Sequence, residues 1–87
     1  MNIRLKFNAR WKEELVCSCD QGRFVLELSM GVFSLAFPTE AEWLKRAPEW
    51  ARPHWTAIRA QVEAWCRKEG IPLYIEERAP VYKDSEP

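Results

Sequence analysis

Four side chains of the types usual in structural zinc sites occur in this 87-residue chain: three cysteines and one histidine. Structural zinc sites usually take ligand pairs two to four residues apart on tight turns, whereas Cys17 and Cys19 alternate along a predicted strand. Cys66 follows His54 by twelve residues on one predicted helix, which is too far for a Cys–His catalytic pair. A pairing of His54 with Cys17 or Cys19 stays open. Because free cysteine packs readily as a small hydrophobe, we expect core thiols, no metal and no cofactor.

Two pairs of adjacent glutamates, Glu13–Glu14 and Glu76–Glu77, are the other chemical candidates. Neighbours on a strand point to opposite faces, so neither pair is expected to form a carboxylate dyad for acid–base catalysis. The chain also lacks a phosphate-binding glycine loop, a nucleophile elbow and a metalloprotease helix. We therefore expect a protein that is not an enzyme, with carboxylates available to bind a basic surface of a partner.

The composition is that of a folded domain, with 47% hydrophobic and 30% charged residues. Thirteen basic residues balance thirteen acidic ones, and this balance disfavours binding to nucleic acid through phosphates. The longest apolar run, GVFSLAF, is too short to cross a membrane, and the N-terminal segment does not resemble a signal peptide. An odd number of cysteines argues against a secreted disulfide scaffold, so we expect a cytoplasmic protein.

Four segments alternate between apolar and polar residues: NIRLKFN, ELVCSC, RFVLELS and VFSLAF. Period-two alternation predicts half-buried strands, and the short turns between them predict an antiparallel meander. The residues predicted to face the core are Ile3, Leu5, Phe7, Leu15, Cys17, Cys19, Phe24, Leu26, Leu28, Phe33, Leu35 and Phe37.

Two helices and a fifth strand follow the meander. Thr39 and Glu42 form a capping box that predicts a short helix, which Pro48 ends. Pro53 suits the first position of a longer helix, and Gly70 suits its C-terminal cap. The segment IPLYIEE alternates again and predicts the fifth strand.

This order predicts an α+β domain over residues 1–78, with one short and one long helix on one face of an antiparallel sheet. Residues 79–87 are predicted to be a flexible C-terminal tail. The other face of the sheet is a candidate contact surface, and an exposed sheet edge leaves a homodimer open. The residues predicted on that face are Arg4, Lys6, Val16, Val25, Glu27, Ser34, Tyr74 and Glu76.

The five tryptophans divide into two groups. Trp43, Trp55 and Trp65 fall on apolar stripes of the predicted helices and are assigned to the core. Trp50 and Trp11 lie on no apolar stripe, and they are either lids over a small core or anchors for a partner. The predicted partner contacts are Trp50, Arg52, Trp11, Tyr74 and Glu76.

The run FPTEAEWLKRAPEWARPHW…AWCRKEGIPLYIE resembles segments of small bacterial immunity proteins encoded beside polymorphic toxins. The similarity covers about residues 31–77 and is one of composition and spacing. It implies a protein that binds a toxin and blocks the toxin's active site. The alternatives are a small nucleic-acid-binding module that uses Arg4, Lys6 and Tyr74 on the open sheet face, or a phage-type inhibitor protein. A small enzyme or metal protein built on Cys17, Cys19 and His54 is a further alternative.

Overall fold

A six-stranded sheet and two α-helices make up the computed structural model, which describes residues 3–10, 13–29 and 31–83. This is the α+β class that the sequence predicted. Within the described residues a 3-10 segment, Glu49–His54, joins the two helices. In chain order the other elements are β1 (Lys6–Arg10), β2 (Glu14–Cys19), β3 (Gly22–Ser29), β4 (Ser34–Phe37), α1 (Glu40–Arg46), α2 (Trp55–Glu69), β5 (Leu73–Ile75) and β6 (Val81–Lys83).

The sheet has the strand order β1-β2-β3-β4-β5, and β1 to β4 form the predicted antiparallel meander. The prediction of a wholly antiparallel sheet is wrong at β5, which runs parallel to β4. The reason lies in the connection, because α1 and α2 separate the two strands. A strand that returns to the same end of its neighbour after a helical crossover must run parallel to it.

The sixth strand, β6, was not predicted, since residues 79–87 read as a tail. β6 pairs antiparallel with β3, and Tyr82 is the register partner of Val25. β3 is eight residues long, whereas β4 pairs only with its last two residues, Leu28 and Ser29. Without β6 the remaining backbone groups on that edge of β3 would lack partners, which is costly next to a core. Residues 79–83 are therefore part of the fold, while 84–87 lie outside the described residues.

The core lies between the sheet and the helices, and aromatic rings fill its centre. Trp43 of α1 is fully buried, and its ring centre lies 5.2 Å from that of Phe24 and 5.4 Å from that of Phe37. The indole N–H of Trp43 donates to the carbonyl of Ala51 at 3.0 Å. A buried indole thus has its polar atom satisfied while it fills volume that a domain this small must use efficiently.

Helix boundaries follow the capping signals. The Thr39 hydroxyl accepts from the backbone N–H of Glu42 at 3.4 Å, and α1 begins at the next residue after Thr39. α2 ends at Gly70, which has φ +72° and is the predicted left-handed cap. The start of α2 differs slightly from the prediction. Pro53 lies in the 3-10 segment, and α2 begins at Trp55.

Four aromatic residues assigned to the core are less buried than predicted: Phe7, Phe33, Trp55 and Trp65. Phe33 is 49% exposed because β4 begins only at Ser34, so Phe33 belongs to the preceding turn, where alternation gives no orientation. Trp55 and Trp65 are partly buried and pack against the edge of the core. Each has a contact of its own there: the Trp55 indole donates to the carbonyl of Pro38 at 3.1 Å, and Trp65 stacks on Phe7.

Candidate binding surface

The side of the sheet away from the helices, here called the open face, carries a charged row across three strands. Arg10 of β1 is the register partner of Glu14 on β2, and Glu14 is the partner of Glu27 on β3. Cross-strand partners point to the same face of a sheet. The Arg10 guanidinium accordingly lies 2.9 Å from the Glu14 carboxylate.

Two shallow hollows on the open face meet at Glu27. One has a volume of about 250 Å³ and is lined by Glu13, Glu14, Glu27 and Tyr82. The other has a volume of about 190 Å³, and Glu27 and Glu76 flank it together with Tyr74 and small residues of β3 and β4. We call the glutamates and tyrosines of both hollows the acidic patch: Glu13, Glu14, Glu27, Tyr74, Glu76 and Tyr82.

The acidic patch is rich in carboxylates. It brings four glutamates onto this part of the open face, and one of them, Glu14, pairs with the Arg10 guanidinium. No ion pair of Glu27 or Glu76 is present among the described residues. Closely spaced carboxylates repel one another, so a cationic surface placed against them gains favourable electrostatic energy.

Glu13 joins the patch because the backbone leaves the strand conformation at this residue. The prediction that Glu13 and Glu14 point to opposite faces is wrong, since both line the same hollow. Glu13 precedes β2 and has φ +60°, the left-handed region. The strict alternation of a strand therefore does not extend to it. Its carbonyl accepts the backbone N–H of Leu28 at 3.0 Å, which fixes this turn against β3.

The opposite end of the open face is basic. Lys6 is the register partner of Ser18, and Ser18 is the partner of Arg23. Arg4 and Lys6 line a hollow there together with Ser18, Cys19 and Asp20. Lys6 and Arg10 lie four residues apart on β1, so the two charged rows are separated by ~13 Å. The open face is thus polarised along the strands.

Between the charged rows the open face has an apolar centre. Val16 and Val25 are register partners, and both are buried, at 6% and 2% exposed, although they face away from the helices. Tyr82 of β6 continues their row and is 51% exposed. At Val16 and Val25, beside the acidic patch, β2 and β3 are therefore buried on both faces.

The structure brings two of the predicted contact residues together. Tyr74 and Glu76 line the same hollow of the acidic patch, and Tyr74 is 53% exposed. Trp50 and Arg52 lie in the 3-10 segment on the helical side of the sheet. Trp11 lies outside the described residues. The five predicted contacts thus do not form one surface within the described part of the chain.

Trp50 and Arg52 each have contacts within the fold. Trp50 packs against the core, with its ring centre 6.1 Å from that of Phe24. The Arg52 Nε–H donates to the carbonyl of Ala47 at 2.9 Å, and Ala47 is the residue that caps the end of α1. These contacts fit the lid alternative for Trp50 and give Arg52 a role in holding the 3-10 segment.

The thiols occupy the sites expected of packing groups. Cys17 and Cys66 are buried, and Cys19 is partly buried at the end of β2. Burial raises the pKa of the Cys17 thiol, and the nearby Cys66 adds to this effect. Burial, and then the charge of Glu63, raises the pKa of Cys66 to about 11. Raised values keep both thiols protonated and unreactive at neutral pH.

No group of three or more His, Cys, Asp or Glu side chains with metal-binding geometry occurs in residues 3–10, 13–29 and 31–83. His54 immediately precedes α2 as its N-cap residue, and it makes no capping hydrogen bond through its side chain.

The predicted contacts omit four members of the acidic patch: Glu13, Glu14, Glu27 and Tyr82. Of these, Glu27 was predicted only to lie on the candidate contact face. The signal for Tyr82 was present, because VYK is a short alternating segment, but its pairing with β3 is a long-range feature. No sequence pattern predicted that Glu13 joins the patch, because a glutamate in the left-handed backbone conformation has no characteristic sequence pattern.

Comparison with protein-family models, with curated proteins and with solved structures finds no match to this chain. Among the described residues, neither helix has the length and apolar character needed to cross a membrane.

Proposed function

We propose that this chain is a non-enzymatic, protein-binding inhibitor that acts in the cytoplasm. Its partner is a cognate antibacterial toxin, and the chain neutralises it by occluding the active site, as an immunity protein does. The observation that supports this proposal is the acidic patch, in which four glutamates and two exposed tyrosines lie on one face of the sheet. The proposal needs no cofactor and no metal.

The chemistry of the acidic patch suits a protein surface as ligand. Tyrosine is enriched at protein interfaces because its ring buries a large area while its hydroxyl remains hydrogen-bonded. Tyr74 and Tyr82 flank Glu27 in the two hollows, so aromatic area and negative charge alternate across the patch. A partner that presents lysine or arginine there would associate quickly and in a fixed orientation.

The nucleic-acid alternative is disfavoured by the arrangement of charges. Tyr74, the aromatic residue proposed to stack on bases, lines the same hollow as Glu27 and Glu76, which repel phosphates. Arg4 and Lys6 line a separate hollow at the other end of the face. A single strand of nucleic acid that used the basic and aromatic groups together would also lie against the carboxylates that share the hollow of Tyr74. A mobility-shift assay at low salt tests this alternative, and we expect no shift.

Growth rescue tests the proposal. The tagged chain is used to capture proteins from the organism that encodes it, and each captured protein is expressed alone and with the chain. We expect one captured protein to stop growth alone and to permit growth when the chain is co-expressed. Co-expression of the Glu27→Lys, Glu76→Lys double variant should restore growth poorly. Glu69→Lys is the matched control, because Glu69 is an exposed glutamate at the end of α2.

The result that would overturn the proposal is equally clear. Capture of proteins that never affect growth, or of nucleic acid alone, contradicts an immunity function. A phage-type inhibitor would use the same kind of surface. Its captured partner would be a host enzyme or defence protein that does not stop growth, and binding would abolish that protein's activity.

A further inference from the structure

The turn between β3 and β4 carries two exposed apolar side chains, here called the apolar tip: Val32 and Phe33. Val32 is 80% exposed, the largest fraction among the large apolar side chains of the described residues, and Phe33 is 49% exposed. Glycine, asparagine, aspartate and serine are the residues that usually fill such turns. The fold itself leaves this apolar surface in water, and a partner that covers it gains free energy.

The apolar tip projects beyond the sheet. Pairing of β3 with β4 ends at Ser29 and Ser34, so the tip lies past the last paired residues. Gly31 precedes the tip, and no atom outside Gly31 and its two chain neighbours lies within 4 Å of its Cβ position. The turn is therefore surrounded by open space at this residue. A projecting turn can enter a concave surface, which the shallow hollows of the acidic patch cannot do.

The base of this turn belongs to the acidic patch. Ser29 and Ser34 line the smaller hollow of the patch together with Glu27 and Glu76. Consecutive Cα atoms lie about 3.8 Å apart, so the Cα atom of Val32 lies within ~8 Å of that of Ser34. A stable protein interface covers ~800 Å² of each partner, which corresponds to a circle of ~16 Å radius. A footprint centred on this hollow therefore includes the apolar tip.

We propose that the apolar tip enters an apolar pocket in the active-site cleft of the toxin, while the acidic patch binds cationic side chains at the rim of that cleft. This inference rests on the proposed function and deepens it, because it names the kind of active site that the chain blocks. Charge at the rim orients the approaching partner, and burial of Val32 and Phe33 slows its dissociation. The acidic patch holds the toxin, and the tip fills the cleft.

Calorimetry with the captured toxin domain tests the tip. The double variant Val32→Ser, Phe33→Ser should raise the dissociation constant at least about tenfold, because it removes the apolar area that the pocket covers. The increase should persist at high salt, since salt screens charges and not apolar contacts. Leu44→Ser is the matched control. Leu44 is 51% exposed on α1, on the helical side of the sheet, so its substitution should leave the constant unchanged.

Growth rescue tests whether the tip fills the active site. The double variant is co-expressed with the toxin at a level that saturates binding. We expect poorer rescue than with wild type, because the acidic patch still binds while the cleft stays open. Full rescue by the double variant at saturation would show that the tip does not block the active site.

Labelling of an introduced thiol locates the tip in the complex. Cys19→Ser removes the native thiol that is partly exposed, and the other two are buried. In this background, the thiol introduced by Val32→Cys should react with a maleimide at least about tenfold more slowly when the toxin is bound, because the interface excludes the reagent. The thiol introduced by Leu44→Cys should react equally fast in free and bound protein. Both positions are exposed, so both variants should fold as wild type does.

The outcomes separate this inference from the proposed function. Wild-type affinity of the double variant, or equal labelling of Val32→Cys in free and bound protein, would overturn the tip contact. The proposed function would then still stand if wild type restores growth and Glu27→Lys weakens binding. Capture of no protein that stops growth would overturn the proposed function and this inference with it.

Discussion

The indole nitrogen of Trp50 lies 2.7 Å from the position that a Cβ atom would occupy at Gly22. Gly22 begins β3 at the turn from β2 and has φ +148°, a conformation that other residues rarely adopt. Trp50 covers this turn from the 3-10 segment and reaches Phe24 in the core. A glycine and a tryptophan far apart in the sequence thus close one end of the core together.

Replacement of Gly22 by alanine should destabilise the fold by about 2–4 kcal/mol, because it adds both backbone strain and a clash with Trp50. Urea unfolding followed by tryptophan fluorescence measures the change. Gly31→Ala is the matched control, since no atom outside Gly31 and its two chain neighbours lies within 4 Å of its Cβ position. We expect the control to change the unfolding free energy by less than about 0.5 kcal/mol. Equal effects of the two substitutions would contradict the contact.

Removal of the Trp43 indole nitrogen should also destabilise the protein. In Trp43→Phe the buried carbonyl of Ala51 loses its donor and the core loses ring volume, for a cost of about 2–4 kcal/mol. Trp55→Phe provides the comparison, because Trp55 also donates to a backbone carbonyl but is only partly buried. Its cost should be about half as large or less, since water can replace the lost donor. The same denaturant curves decide between these outcomes.

The three thiols should differ in reactivity. Cys19 is partly exposed, whereas Cys17 and Cys66 are buried and have raised pKa values. At neutral pH in the native state, a thiol reagent should modify Cys19 first, and the other two only after denaturant is added. Mass spectrometry of peptides from labelled protein shows the order. Fast modification of Cys17 in native protein would mean that its site is open to solvent.

Stability should fall in alkaline solution through the buried thiols. The pKa of Cys66 is raised from 9.0 to about 11 in the folded protein, so the unfolded chain loses this proton first as the pH rises. The Cys66 thiol therefore contributes its full share to the free energy of unfolding below pH 9, and this contribution is lost as the pH rises through about 11. Unfolding free energies measured from neutral to alkaline pH should decrease less steeply for Cys66→Ala than for wild type. An identical slope would contradict the raised pKa.

Local signals in the sequence predicted the elements well. Alternation located β2 and β3 and oriented Leu15, Phe24 and Leu26, all fully buried, toward the helices. The Thr39 cap and the Gly70 cap fixed two helix ends because each depends on hydrogen bonds within a few residues. These features can be predicted because they depend only on residues that are close in the sequence.

Features that depend on distant partners were the ones missed. β6 pairs with the part of the β3 edge that β4 leaves free. The segment VYK contains no signal for this pairing, because the pairing depends on the length of β4. The parallel direction of β5 depends on the crossover through two helices. The lid and anchor alternatives for Trp50 could not be separated from the sequence, because the contact of Trp50 with Gly22 is long-range. For the candidate surface, alternation predicted Glu27, Tyr74 and Glu76 on one face of the sheet, where the structure has them lining one hollow. It did not predict that Glu13 and Tyr82 lie beside Glu27.

The most direct test of the account is the affinity of the purified chain for its captured toxin domain, measured by calorimetry for wild type, Glu27→Lys and Glu69→Lys. Glu27 belongs to both hollows of the acidic patch, so reversing its charge should raise the dissociation constant at least about 30-fold. Added salt should reduce the difference in affinity between wild type and Glu27→Lys, because salt screens exposed charges. Glu69→Lys should bind as wild type does. An unchanged dissociation constant for correctly folded Glu27→Lys would show that the acidic patch is not the binding surface.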